Sequence, residues 1–145
     1  MDAYPIALII HLFSAIIFLG YVFSDIFVFI AIKQVLDEKT QAKVKEAISN
    51  RARKIFPISV LILVLSGGFM FSKYINSELG FANTNLQILL LIKVFLALII
   101  VSGIIYSLSR RLFKKKPHPV MAHFHNLVLF LGVLIVILAK LMFVI

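Results

Sequence analysis

The sequence predicts an all-α integral membrane fold, an up-down four-helix bundle with both termini outside. Three observations predict it. The 145-residue chain is 62% hydrophobic with a mean hydropathy of +1.09, beyond the range of water-soluble domains. Four apolar runs, about 5–32, 55–75, 86–108 and 119–145, each supply the roughly 20 residues that cross a bilayer at 1.5 Å rise per residue. Basic residues are concentrated between the runs. Twelve of the fifteen Lys and Arg lie in Lys33–Lys54 and Arg110–Lys116, leaving Lys73, Lys93 and Lys140 elsewhere.

Each element has its own justification. The first run begins at Asp2 without a basic leader and exceeds the apolar core of a cleaved signal peptide, so it is expected to stay as a helix. Between the first two runs, Val35, Leu36, Val44 and Ile48 alternate with Lys, Glu and Gln at nearly helical spacing. Residues 34–50 are therefore expected as an amphipathic segment at the headgroups. Thr84-x-x-Gln87 reads as a capping box opening the third span, and Pro119 suits the first turn of the fourth. Short connections make successive spans antiparallel, forming one transmembrane domain over residues 1–145.

Charge asymmetry gives the expected orientation. Both basic loops belong in the cytoplasm, and the loop 73–85 lies outside. A net charge of +9 concentrated at membrane flanks points to lipid and argues against a nucleic-acid partner. The absence of cysteine excludes disulfides, iron–sulfur clusters and Cys-ligated zinc. There is no nucleophile–base–orienter set, phosphate loop or HExxH motif.

The polar residues inside the spans carry the functional expectation. Lys93 sits deep in Leu86–Val101, where a cation costs roughly 3 kcal/mol or more, so a partner or a task is expected for it. His11 and Lys93 each lie nine residues past the outer start of their helix, about 14 Å down. With Lys140 they place three polar side chains in the outer third. Asp25, His123, His125, Ser24, Ser107 and Asn126 form a second tier near the cytoplasmic face. At 100° per residue, His11, Phe18 and Asp25 share a stripe, as do Ser59, Ser66 and Lys73, then Lys93 and Ser107, then Asn126 and Lys140. Lipid cannot satisfy such stripes, so they are expected to turn inward. His123 and His125 point about 160° apart, so only one can face the interior.

His11 is the leading ligand candidate, since neutral imidazole binds haem iron, copper or zinc. The alternative is a histidine hydrogen-bonded to Ser14 or to a carbonyl of a neighbouring helix. Lys93 can hold a carboxylate, such as a porphyrin propionate, or act as an acid or base. Its alternative, and the expectation for Lys140, is snorkelling to the outer headgroups. Asp25 is a candidate partner for Arg51, Arg53 or His125, and His118 is expected to be solvated. A copper site would draw on His11 with Met70 and Met142 as soft ligands. Gly20, Gly67, Gly68 and Gly132 mark the waist, either as close-packing points or as room for a flat cofactor.

Several of these segments resemble the small four-helix membrane proteins grouped with copper-resistance protein D (CopD) and the HemJ-type protoporphyrinogen oxidases. Ile10-His11-Leu12-Phe13-Ser14-Ala15-Ile16-Ile17-Phe18-Leu19-Gly20 is similar to the opening LHxxxAxxWxGG of the first type and HIIxVxxWFAG of the second. Phe56–Gly67 resembles RFxxxxLxxxxxLxxTG, Leu91–Leu98 resembles LxKLxLVLxL, and Ala139-Lys140 resembles the VVKPF close of the HemJ type. The chain departs from the HemJ type at Phe18-Leu19, at Ile104-Ile105-Tyr106-Ser107 and at His123-Phe124-His125-Asn126. The resemblance implies haem b as cofactor, with His11 and Lys93 as counterparts of the functional His and Lys, in a bacterial inner membrane. The expectations are a haem-binding protein handling redox or tetrapyrrole chemistry, with Lys93 as candidate catalytic residue and Lys140 and His125 as further cofactor contacts. An oxidoreductase of the protoporphyrinogen oxidase type is included. A CopD-like copper-handling protein is the alternative, and a non-catalytic assembly subunit is the third reading. A homo-oligomer or a membrane redox partner accompanies the first.

Overall fold

The computed structural model describes residues 2–116 and 118–145. It is all-α among those residues, with four helices long and apolar enough to cross a membrane: Tyr4–Val35, Glu38–Ser72, Asn85–Leu112 and Pro119–Leu141. Most large apolar side chains face outward. Phe13, Ile16, Leu61, Leu65, Phe95, Leu98, Phe130 and Val133 are all exposed. Water would penalise such a surface and a lipid bilayer stabilises it, so the apolar exterior and the span lengths agree. The chain divides into two compact units, residues 1–70 and 71–145.

The first unit is an antiparallel helical hairpin. Helix α1 (Tyr4–Phe23) opens with Pro5 in its first turn, where a missing N–H costs nothing. It passes into a π turn, Ser24–Val28, in which Phe29 N–H bonds to Ser24 O five residues back. A 3-10 turn, Phe29–Ala31, and short helix α2 (Ile32–Val35) complete the span. Helix α3 (Glu38–Ser72) returns. Its start is organised by Asp37, whose Oδ2 accepts from Thr40 N at 3.2 Å and whose Oδ1 accepts from Thr40 Oγ1 at 2.6 Å. Gln41 Nε2 donates to Leu36 O at 2.6 Å, tying the turn back to α2. Register between α1 and α3 is set by rings: Phe56 packs 4.7 Å from Phe18 and 5.1 Å from Tyr21, centroid to centroid.

The amphipathic segment expected at 34–50 is not a separate helix. From Glu38 onward it is the first part of α3, which runs 35 residues through Pro57 without interruption. At 1.5 Å per residue that helix is about 50 Å long, against roughly 30 Å of hydrocarbon, so its charged N-terminal turns extend past the apolar layer.

The second unit is a hairpin of α4 (Asn85–Leu112) and α5 (Phe124–Leu141). Thr84 caps α4, its Oγ1 accepting from Gln87 N at 3.2 Å. The return bond differs from the expected capping box. Gln87 Oε1 accepts from Asn83 N at 2.8 Å, one residue earlier than Thr84. Gln87 is 4% exposed, and its Nε2 reaches Tyr74 O, Gly80 O and Leu79 O at 2.9, 3.1 and 3.3 Å. One amide thus holds the whole loop that precedes α4. Within that loop Asn76 Oδ1 accepts from Glu78 N and Leu79 N, and Gly80 takes φ +83°, a value that favours glycine. Ile75, Leu90 and Met142 form the core at this end, packed by Phe71, Tyr74, Leu86 and Leu89. At the other end of the hairpin the Phe124 ring lies against Gly103, where a Cβ would clash with the ring. Pro119 starts a 3-10 turn, Pro119–His123, so the α-helical part of the last span begins at Phe124.

The glycine expectations divide. Among the described residues, a Cβ on Gly20 or Gly68 would meet nothing within 4 Å, so neither is close-packed within the first unit. Gly67 is close-packed, and Gly132 is buried. Gly103, which the waist pattern omitted, is also close-packed, against the Phe124 ring.

Candidate functional site

The first unit builds a defined environment around His11. Its half-buried ring meets α3 at Ser66, with Nδ1 and Oγ 2.9 Å apart. The direction of that bond follows from Ser66, which is buried. Its Oγ lies 2.6 Å from Ile62 O and 3.3 Å from Leu63 O, on its own helix. A hydroxyl has one proton to give. The shorter contact, to Ile62 O, takes it, so Oγ accepts from His11. That direction corresponds to the His11 tautomer with its proton on Nδ1 and its lone pair on Nε2.

Gly67, next to Ser66, makes room for this ring. A Cβ there would sit 3.1 Å from His11 Cε1 and 3.6 Å from Nδ1. The Ser66-Gly67 pair on α3 thus supplies both the acceptor and the space. Ser14, the hydroxyl expected beside His11, is buried one turn along α1, but Nδ1 meets Ser66 instead. Spacing along one helix could not show this, because Ser66 becomes a neighbour only through the α1–α3 register. Met70 is buried one turn beyond Ser66 on the same face of α3. The expected stripe on this helix holds for Ser59 and Ser66, both buried, but not for Lys73, which is exposed beyond the end of α3. On α1 and its continuation Phe18 is buried and Asp25 half-buried, the latter inside the π turn.

In the second unit, Lys93 is half-buried on the face of α4 that also carries Leu90, Ile100 and Ile104, all buried. Lys140 is exposed in the last turn of α5, and Asn126 is exposed near its start. The expected inward stripe on this helix is therefore wrong. Its buried face is Val128, Leu131 and Gly132. Both polar residues lie within a turn of a helix end, where headgroups and water can solvate them. Met142 fills the apolar core with Ile75 and Leu90, a setting that accounts for it as packing.

The two histidines lie on different elements, His123 in the 3-10 turn and His125 on α5. His123 is exposed at the end of the 3-10 turn. His125 is half-buried and lines a cavity of about 340 Å³ with Ser107, Arg110, Arg111, His118, Met121 and Phe124 among its walls. His118 is exposed, as expected, and its Nδ1 accepts from Val120 N at 3.3 Å to cap the 3-10 turn.

Among the described residues, no three of His, Cys, Asp and Glu gather as a metal cage. A metal at His11 would use this imidazole without a carboxylate or second-histidine cluster. Haem iron fits such a donor, since the porphyrin supplies four ligands itself. A ligating histidine commonly donates its other N–H to an oxygen, which fixes tautomer and ring orientation, and the His11–Ser66 bond has that form.

Comparison with known proteins adds no assignment: no family model, no curated protein and no solved structure matches the chain.

Proposed function

We propose that this protein is a multi-pass inner-membrane protein that binds haem b and handles redox or tetrapyrrole chemistry, with His11 as axial ligand. The observation that carries the proposal is the His11–Ser66 pair over Gly67. It supports an imidazole oriented by α3 with Nε2 as the basic nitrogen. When bound, the haem would supply one-electron chemistry at its iron, while the chain's part is to orient the ring and exclude water. Lys93 is assigned a separate role on α4. A half-buried cation on that helix suits a tetrapyrrole carboxylate. The charge asymmetry supports a cytoplasmic position for both basic segments.

The test is spectroscopic. Protein purified in detergent and titrated with haemin should develop an absorption spectrum of axially ligated haem, and His11→Ala should lose it. Lys93→Ala should retain the ligated spectrum with weaker binding. A wild-type preparation that takes up no haemin would refute the proposal.

Copper is the second reading. It is favoured by Met70, buried on the same face of α3 as Ser66, a soft donor one turn from the His11 partner. Copper(I) titration of wild-type protein and Met70→Leu tests it. A single tight site that depends on both His11 and Met70 would favour copper over haem.

A further inference from the structure

We infer that the cavity at the basic end of the α4–α5 hairpin binds a phosphate-bearing anion, the headgroup of an anionic lipid. This inference does not rest on the role proposed for His11.

The cavity of about 340 Å³ is lined by two arginines, two histidines and a serine: Arg110, Arg111, His118, His125 and Ser107. Among the described residues, its wall contains no carboxylate. The only acidic side chain among residues 71–145 is Glu78, which precedes α4, whereas Arg110 and Arg111 lie in its last turn. A 28-residue helix separates them by about 40 Å, several Debye lengths at physiological salt.

Two arginines at the end of a membrane helix are commonly explained by orientation and snorkelling alone. Arg110 departs from that picture. Its Nε donates to Tyr106 Oη at 3.1 Å, and its guanidinium carbon lies 5.3 Å from the Tyr106 ring centroid. A snorkelling side chain stays mobile in the headgroup layer, whereas this one is held on α4 one turn back. Holding the guanidinium lowers the ordering cost of binding and keeps its planar fork for a tetrahedral anion. Ser107, one residue after Tyr106, adds a hydroxyl donor. The remaining walls are Pro119, Met121, Ala122 and Phe124, an apolar rim beside a cationic centre.

The setting selects the source of the phosphate. The cavity lies at the end of a helix long and apolar enough to cross a membrane, so in a bilayer of ordinary thickness it would meet the headgroup layer. Basic pockets between membrane helices at such depth recognise anionic headgroups, and an apolar rim accommodates the start of an acyl chain. A soluble phosphate shares the same recognition chemistry, so the experiment separates the two.

Binding to the full chain in detergent is measured by calorimetry with short-chain phosphatidylglycerol, with phosphatidylcholine of equal chain length, and with inorganic phosphate. Phosphatidylglycerol should bind about tenfold or more tighter than phosphatidylcholine. Arg110→Gln with Arg111→Gln should remove that preference. Lys114→Gln with Lys115→Gln removes the same charge from residues outside the cavity wall and should retain it. Ala122→Phe fills the cavity without changing charge and should lose it, which keeps the test sound if the arginine variant does not fold. Failure of inorganic phosphate at millimolar concentration to displace the lipid identifies a lipid site. Displacement identifies the same pocket as a soluble-phosphate site. Equal losses in the arginine and lysine pairs, or full binding by Ala122→Phe, would overturn the inference, as would no preference between the lipids together with no phosphate binding.

Discussion

Replacing Ser66 by alanine removes one atom from the proposed ligand environment and leaves the helix that carries it. Ser66 Oγ makes two kinds of contact, one to His11 Nδ1 at 2.9 Å and others to Ile62 O and Leu63 O on its own helix. Those carbonyls retain their backbone partners in α3, so the helix tolerates the loss, and alanine is the better helix former. The cost therefore falls on His11. Its Nδ1–H is left in a half-buried site without the Ser66 acceptor. Removing an outer partner of a ligating histidine typically costs 10- to 100-fold in affinity, about 1.4–2.7 kcal/mol. Haemin titration of Ser66→Ala followed by absorption should show that weakening, with helix content by circular dichroism unchanged. Ser66→Thr, which keeps the hydroxyl, should recover part of it. Unchanged affinity in Ser66→Ala, where His11→Ala abolishes binding, would show that Ser66 does not orient the ligand.

Three further outcomes follow from the packing. Gln87→Leu should destabilise the second unit by roughly 2–4 kcal/mol, because it strands several loop groups now satisfied by one buried amide; thermal unfolding in detergent measures it, and a change under 1 kcal/mol would refute that role. Gly103→Leu should lower the unfolding temperature more than Gly68→Leu, since a side chain at residue 103 meets the Phe124 ring whereas residue 68 faces open space; equal effects would contradict the α4–α5 packing. Asp37 is held below the usual carboxylate range by the Thr40 hydroxyl and then the Thr40 amide. Its cap on α3 is therefore fully present above the unfolded-state value and is lost as pH falls through the lower folded value. Amide exchange at residues 38–41 should accelerate only in that acidic window, and Asp37→Asn should remove the dependence; exchange that accelerates equally in both proteins would refute it.

The helical architecture was legible because bilayer-length apolar runs need no partner to declare themselves. Thr84 was legible for the same reason, since a cap is a local bond. The continuity of α3 was partly legible: Arg51 to Lys54 contains no breaker between the amphipathic turns and the span, so nothing local would end the helix. What lay beyond the sequence is the set of contacts fixed by register. His11 could be marked as a ligand candidate, but Ser66 and Gly67 lie 55 and 56 positions away and meet it only because Phe56 packs on Phe18 and Tyr21. Gln87 could be read as half a capping box, but not as the acceptor and donor for four loop groups. The inward stripe of Asn126 and Lys140 failed for a different reason. Angular position says which residues share a face, whereas distance from the helix end decides whether lipid or headgroup surrounds them. Lys93, farther from either end of α4, retains its half-buried place.

The central claim is a tautomer: His11 protonated at Nδ1 by its bond to Ser66, with the lone pair on Nε2. Solid-state NMR of imidazole-15N-labelled protein in lipid bilayers, with the His11 signals assigned by loss in His11→Ala, reads it without any cofactor. The account predicts a protonated Nδ1 and an unprotonated Nε2, exchanging places in part when Ser66 becomes alanine. A His11 ring protonated at Nε2 in the wild-type protein would contradict it.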